Sequence, residues 1–195
     1  DKANIDGGNF DGEIAKITAR LADQFSNPVP DGTTVSFIAS GAAVCTSTNG
    51  ACKTTNGACS CDLVSQARRP LDNRVVVTAY ADGLEDFDDN NGSNVYDVGD
   101  TYYDLGDAYV DADKSGLPST VTNNGDTDIL VPYQQNTAFR ALGDGVRGRA
   151  HIRASTVIYL SQASSAGDPT GVLPIEQLNQ EHGPLAKTTS TYFLR

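Results

Sequence analysis

The chain has 195 residues, of which 38% are apolar and 20% charged, with no Met, no Trp, a formal net charge of −11 and a pI near 4.4. No apolar run approaches the roughly 20 residues of a membrane-spanning helix, and no stripe of Lys or Arg marks a nucleic-acid surface. Abundant Gly, Asn, Asp, Ser and Thr suit many short strands joined by polar turns, within a single domain over 1–195. No signal peptide is visible, and the missing initiator Met reads as a mature or excised chain.

Residues 1–13, with Gly7, Gly8 and Gly12, read as a lead-in or a strand donated to a neighbour. From Ile14 the pattern alternates, with Ile17, Ala19 and Leu21 on one face and Lys16, Thr18 and Arg20 on the other, which predicts a half-buried strand. Asp23 to Gly32 is a turn whose prolines, Pro28 and Pro30, exclude a central strand. Thr33 to Ser40 predicts a second strand with Val35, Phe37 and Ala39 inward.

Four cysteines follow in a small internal repeat. Cys45-Thr-Ser-Thr-Asn-Gly-Ala is succeeded directly by Cys52-Lys-Thr-Thr-Asn-Gly-Ala and then by Cys59 and Cys61. Each copy carries Asn-Gly, a strong hairpin-turn signal. The C-x6-C-x6-C-x-C spacing fits no common zinc module, so two disulfides and an extracellular setting are expected. Cys59 with Cys61 would be strained. Two pairings stay open: Cys45–Cys61 with Cys52–Cys59, the nested set and the preferred one, or Cys45–Cys59 with Cys52–Cys61.

Leu63 to Gln66 and Arg74 to Ala81 predict two further strands, the latter burying Val75, Val77 and Ala79. Beyond a long acidic stretch come Ile129 to Tyr133, a short strand, and Val146 to Ser161, a long one. Ile175 to Asn179 is read as one helical turn, and 184–195 as a C-terminal strand region with Thr188 to Leu194 as its strand.

The acidic stretch, Asp82 to Asp128, holds 13 of the 25 acidic residues and one base, Lys114, so the rest of the chain is nearly neutral. Such crowding costs repulsion that bound cations offset. Calcium takes oxygens from positions 1, 3, 5, 7, 9 and 12 of a 12-residue loop. Counting from Asp89 places Asp89, Asn91, Ser93, the Val95 carbonyl, Asp97 and Asp100 there. Position 6 is Asn94 where Gly is usual, and position 12 is Asp where Glu is usual. A second run starts with Asp111, Asp113 and Ser115 at positions 1, 3 and 5, but Ser119 and Thr122 leave its far half without carboxylates. Asp104 and Asp107 are expected to complete that site. The interleaved Phe87, Tyr96, Tyr102, Tyr103 and Tyr109 should pack beneath the loops, which argues against an unstructured tail. Asn91-Gly92-Ser93 matches a glycosylation acceptor by coincidence.

Several segments resemble the bacterial immunoglobulin-like domains of the invasin/intimin type. They are ITARLADQFSNPVPDGTTVSF, CTSTNGAC, SQARRP, VVVTAYADGLEDF and GRAHIRASTVIYLS, spread over Ile14 to Ser161. The likeness is strongest to a subgroup with a calcium-loop insertion of the form F-x-D-x-N-G-x-G-x-x-D-x-G-[DE], here Phe87 to Asp100. Asn94 and the duplicated cysteine hairpin depart from that pattern. The resemblance implies an all-β, immunoglobulin-like sandwich with a calcium-binding insertion over 82–128, displayed by a secreted or cell-surface bacterial protein such as an adhesin or filament.

Three functions are weighed on these residues. The first is a non-enzymatic structural or adhesive module braced by calcium (Ca2+) and disulfides. Its partners would be other copies of itself, neighbouring domains or a surface receptor, and its sharper version is a filament assembled by strand exchange. The second is a calcium-dependent carbohydrate-binding module with Tyr102, Tyr103 and Tyr109 as platforms, against which stands the lack of Trp. The third, an enzyme, is rejected: His151 and His182 lie in no recognisable nucleophile or metal-protease motif.

Overall fold

The structure, a computed structural model, describes residues 2–123, 125–133, 138–161 and 193–194. In chain order the strands are β1 (Asn4–Ile5), β2 (Ile14–Leu21), β3 (Thr34–Ala39), β4 (Ala43–Val44), β5 (Ala51–Lys53), β6 (Ala58–Val64), β7 (Arg74–Leu84), β8 (Phe87–Asp88), β9 (Thr101–Tyr102), β10 (Ala108–Val110), β11 (Ile129–Val131), β12 (Arg149–Leu160) and β13 (Phe193–Leu194). One 3-10 turn, Thr46–Thr48, is the only helical element among the described residues. The expected helical turn at 175–179 lies outside them, as does the C-terminal strand apart from 193–194.

Two sheets carry the fold. The first has the order β1-β12-β7-β3-β5 and the second β13-β2-β6-β4, with parallel pairing, among the described residues, only at β1–β12 and β13–β2. Alternation decides which side chains meet between them. Ala15, Ile17, Ala19 and Leu21 of β2 and Leu63 of β6 face Val35 and Phe37 of β3, Val75, Val77 and Ala79 of β7, and Ile152, Ile158 and Leu160 of β12, in one hydrophobic cluster. The period-two reading of β2, β3 and β7 thus identifies the inner faces.

Strand β7 departs from that reading. Its outer-face residues Val76 and Thr78 are also buried, so the run Val75-Val76-Val77 is covered on both sides. What covers it is the segment between β7 and β12. These two strands pair from Arg74 opposite Tyr159 to Leu84 opposite Arg149. Everything from 85 to 148 is therefore an insertion at one end of a long antiparallel pair, longer than the expected 82–128. Ile129 to Tyr133, expected to follow the insertion, lies inside it: β11 pairs with β10, not with a main sheet.

The insertion is fastened back onto the sheet. Thr78 Oγ1 lies 3.2 Å from the Tyr109 carbonyl and 2.8 Å from Ser155 Oγ. Arg153 donates to the Gly106 carbonyl at 2.6 Å, and Tyr133 donates through its hydroxyl to Asp82 at 2.7 Å. At the neck, buried Glu85 accepts from Leu105 N–H at 2.7 Å and Gly148 N–H at 2.9 Å.

The lead-in is seated too. Ile5 is buried, Ser161 N–H donates to its carbonyl, and Arg69 donates to the carbonyls of Gly7 and Phe10. Gly7 is required here, since a Cβ would stand 2.6 Å from that of Ser65.

Both disulfides form in the nested set, Cys45–Cys61 and Cys52–Cys59. Cys52 lies on β5 at the edge of the first sheet and Cys59 on β6 of the second, so this bridge ties the layers beside the Asn56-Gly57 turn. Cys45–Cys61 sits in the core, with Cys45 only 1% exposed.

Candidate metal centre

Strands β8 and β9 form a two-rung ladder, Phe87 opposite Tyr102 and Asp88 opposite Thr101, that closes the 12-residue loop Asp89 to Asp100. Within it Asp89 Oδ1 accepts from the N–H groups of Gly92 and Ser93 at 2.7 and 3.1 Å, and Oδ2 from Asn94 N–H at 2.7 Å. These donors, Asn94 N–H foremost, hold the Asp89 carboxyl below the usual range. The bends need positive φ at Gly92 (75°) and Asn94 (61°), and Asn tolerates this better than any residue but Gly. Asn91 Oδ1 accepts from Ser93 N–H, and Ser93 Oγ lies 2.9 Å from the Val95 carbonyl and 3.0 Å from Asp97 Oδ2. Asp100 completes the loop by accepting from Asn90 N–H at 3.0 Å and Asp97 N–H at 2.9 Å.

Beneath the loop Phe87, Tyr96 and Tyr102 meet edge to face at 5.6 and 5.9 Å. The Arg147 guanidinium stacks 4.6 Å from the Phe87 ring and 4.8 Å from the Tyr96 ring. Tyr103 is engaged differently, its hydroxyl donating to Asp88. Tyr109 reaches the second loop, donating to the Gly116 carbonyl at 3.1 Å.

The second loop repeats much of the first loop's bonding. Asp111 accepts from the N–H groups of Ser115 and Gly116, Asp113 accepts from Ser115 N–H, and Ser115 Oγ donates to the Leu117 carbonyl at 3.0 Å. Positive φ recurs at Lys114 (57°) and Gly116 (81°), the fourth and sixth positions, as in the first loop.

The closing carboxylate differs from expectation. It is Asp128, which accepts from Ala112 N–H at 2.8 Å and Ser119 N–H at 2.9 Å, the second and ninth positions. Asp100 accepts from those same positions in the first loop. Residues 122–127 explain the displaced count. Asn123 and Asp126 exchange backbone hydrogen bonds, and the Thr122 and Thr127 hydroxyls lie 2.7 Å apart, so a small hairpin interrupts a loop that is otherwise 12 residues long. Thr122 is a residue of that hairpin and not a ligand position. Both loops also share a frame: each first Asp directly follows one strand of a hairpin, β8 or β10, and each last Asp directly precedes the other, β9 or β11.

Asp111, Asp113 and Asp128 offer oxygens all within 4.8 Å of one another, the one such group among the described residues, and they could hold a metal ion. Asp113 and Asp128 are buried. Burial pushes the Asp111 carboxyl up, with Asp113 and Asp128 adding to it, while the Ser115 hydroxyl holds Asp113 down. Three carboxylates so placed repel one another unless a cation or proton lies between them. Half-buried Asp89 and Asp100 and exposed Asp97 do not form such a group, and the Asn91 amide donates to Asp97 Oδ1 at 2.7 Å.

Asp104 and Asp107, expected in the second site, belong elsewhere. Asp104 accepts from Asp144 and Gly145 N–H at 3.0 and 2.8 Å. Asp107, 4% exposed, accepts from Tyr133 and Arg140 N–H at 3.2 and 2.8 Å. Both carboxylates are spent on folding the insertion. Asp128 was missed because counting twelve from Asp111 ends on Thr122; the available signal was an Asp immediately before a strand, as Asp100 precedes β9.

No helix among the described residues is long and apolar enough to cross a membrane. No protein-family model, curated protein or solved structure matches the chain.

Proposed function

We propose that this protein is a non-enzymatic, extracellular structural or adhesive module, an immunoglobulin-like sandwich braced by two calcium ions and two disulfides. We further propose that it serves as a subunit of a bacterial cell-surface filament assembled by strand exchange. The carrying observation is the shared bond scheme of the two loops. In both, a closing Asp caps the second and ninth N–H groups, positions 1, 3 and 5 carry side-chain oxygens, and the position-5 hydroxyl donates to the position-7 carbonyl. Hard oxygen ligands of this number and charge suit calcium better than a transition metal.

The brace has a mechanical sense. The insertion covers the outer face of β7, so cations that fix its loops also hold a second layer over the main sheet. The disulfides support the extracellular setting. Of the two segments considered as donated strands, residues 4–5 pair with β12 and residues 193–194 with β2, both within their own chain, and exchange would hand either pairing to a neighbour's equivalent edge. Electron microscopy of the purified protein with calcium, then with chelator, tests this reading. Ordered polymers that soften on chelation are expected. Monomers alone under both conditions would sink the filament, and equilibrium dialysis finding no bound calcium would sink the brace.

A further inference from the structure

Where the insertion leaves the main sheets, a cavity of about 360 Å³ opens at the end of the sandwich. Its floor is made by three buried side chains: Leu21 at the end of β2, Ala81 near the end of β7 and Ile152 near the start of β12. Val29 lines it from the turn between β2 and β3. Phe25 and Leu84 line it too, and these large apolar side chains stay 56% and 59% exposed. The volume falls in the roughly 300–1,000 Å³ range of small-molecule sites, which combine apolar walls with a few placed polar groups.

One charged group in the wall is unengaged. Arg147 lines the cavity, its guanidinium carbon 4.6 Å from the centre of the Phe87 ring and 4.8 Å from that of Tyr96. Ring contact attracts the charge but offers the N–H groups no oxygen acceptor. Arg147 Nε is buried with no hydrogen-bond partner, and among the described residues the side chain enters no ion pair. A guanidinium cannot shed its proton, so a donor left buried and unpaired costs free energy that a bound acceptor would recover.

The acidic side chains of the same lining already have donors. Asp23 accepts from Phe25 and Asn27 N–H, and Asp82 from Arg149 and the Tyr133 hydroxyl. Glu85 accepts from Leu105 and Gly148 N–H, and Asp86 from Phe87 N–H. The cavity therefore presents apolar walls, partnered carboxylates and one unpartnered guanidinium. Its complement is a compact apolar body bearing a single planar acid group, which the flat fork of a guanidinium matches through two hydrogen bonds. A doubly charged phosphate would meet greater repulsion from the four carboxylates. A bare inorganic anion would leave the apolar walls uncovered.

We infer that this cavity binds a small apolar carboxylate, with the acid group on Arg147 and the body against Leu21, Phe25, Val29 and Leu84. The site goes beyond the bracing role proposed above, since none of these residues is among the proposed metal ligands.

Calorimetry on the full chain with calcium tests it, using decanoate as a flexible probe and 3-phenylpropionate as a ringed one. At least one should saturate a single site per chain with a Kd tighter than about 1 mM. The methyl ester and the amine of the same body should bind roughly ten-fold more weakly or worse, because neither offers a carboxylate. Arg147→Gln should weaken the acid by a similar factor. Ala22→Phe, which puts bulk into the lining and changes no charge, should abolish binding. Saturation by neither acid would overturn the site. An amine binding as tightly as its acid would overturn the role of Arg147, as would an unchanged Kd in Arg147→Gln. Should Arg147→Gln fail to fold, the comparison of acid, ester and amine on the unaltered chain still decides. Unchanged binding in Ala22→Phe would place the acid outside this cavity and overturn the proposal.

Discussion

Changing Asp128 to Asn keeps the shape of the side chain but removes the charge facing Asp111 and Asp113 and one of the two oxygens that accept from Ala112 and Ser119 N–H. Loop affinity follows the count of charged ligands. Under the proposed brace of two calcium ions per chain, the expected result is loss of one of them, with that site weakened on the order of 100-fold. Asp104→Asn should leave the stoichiometry at two, because Asp104 serves Asp144 and Gly145 N–H. Equilibrium dialysis or calorimetry decides, and equal effects of the two changes would refute the assignment. His151 carries a prediction of another kind. It meets Tyr80 at a tilt and Tyr133 edge to face, at 4.7 and 5.0 Å, on the face the insertion covers, and burial holds it below its ordinary value against the Val131 carbonyl and the charges of Asp107 and Asp82, with Arg153 acting alongside burial. The folded state therefore binds fewer protons than the unfolded chain just below the usual histidine value of about 6.5. Its contribution is complete above that pH and is lost as the pH falls towards the depressed value. Urea midpoints should drop between pH 7.5 and 5.5, and His151→Gln should flatten the change; an unaltered slope would show that the ring does not report on the layer.

The small hairpin at 122–127 makes the second loop look incomplete in one dimension while complete in three. Joining Val121 directly to Asp128 would restore an uninterrupted 12-residue loop, since the Thr122 and Thr127 hydroxyls already lie 2.7 Å apart. That deletion should keep two calcium ions per chain. It should cost some stability, because Asp126, 4% exposed, bonds Arg68 at 3.1 Å and faces Lys114. A fall to one calcium ion in a folded variant would mean that the hairpin itself carries a ligand. The same segment marks how far sequence alone reaches. Alternation revealed β2, β3 and the inner face of β7 because burial on one side leaves a period of two. Spacing revealed the closed 12-residue loop Asp89 to Asp100 because its positions are consecutive in sequence. Asp128 was hidden because an insertion breaks the count, and the outer face of β7 because its cover arrives from residues 85–148. Asp104 and Asp107 were grouped with Asp111 and Asp113 because a carboxylate that caps backbone N–H groups is indistinguishable, in sequence, from one that binds metal.

At the scale of the whole molecule, a nearly neutral two-sheet core carries a layer whose acidic stretch alone has a charge of −12, and two calcium ions would bring that to −8. The core has its own means of support in the buried cluster and the two disulfides, whereas the layer depends on carboxylates that repel one another when empty. Removing calcium should therefore act unevenly. With free calcium a thousand-fold above Kd each ion adds about 4 kcal/mol to the state that binds it, and chelation withdraws this from the layer first. Trypsin should then cut at Lys114, Arg140 or Arg147 within the insertion while the strands at 14–84 remain protected, giving discrete fragments instead of full digestion. Raising salt to about 1 M shortens the screening length to about 3 Å and should restore part of the lost thermal stability by damping repulsion, yet leave the cleavage fast, because screening supplies no ligand to order the loops. Cleavage rates identical with calcium and with chelator would show instead that hydrogen bonds from Thr78, Glu85 and Tyr133 suffice to hold the layer, and that its charge serves some purpose other than bracing it.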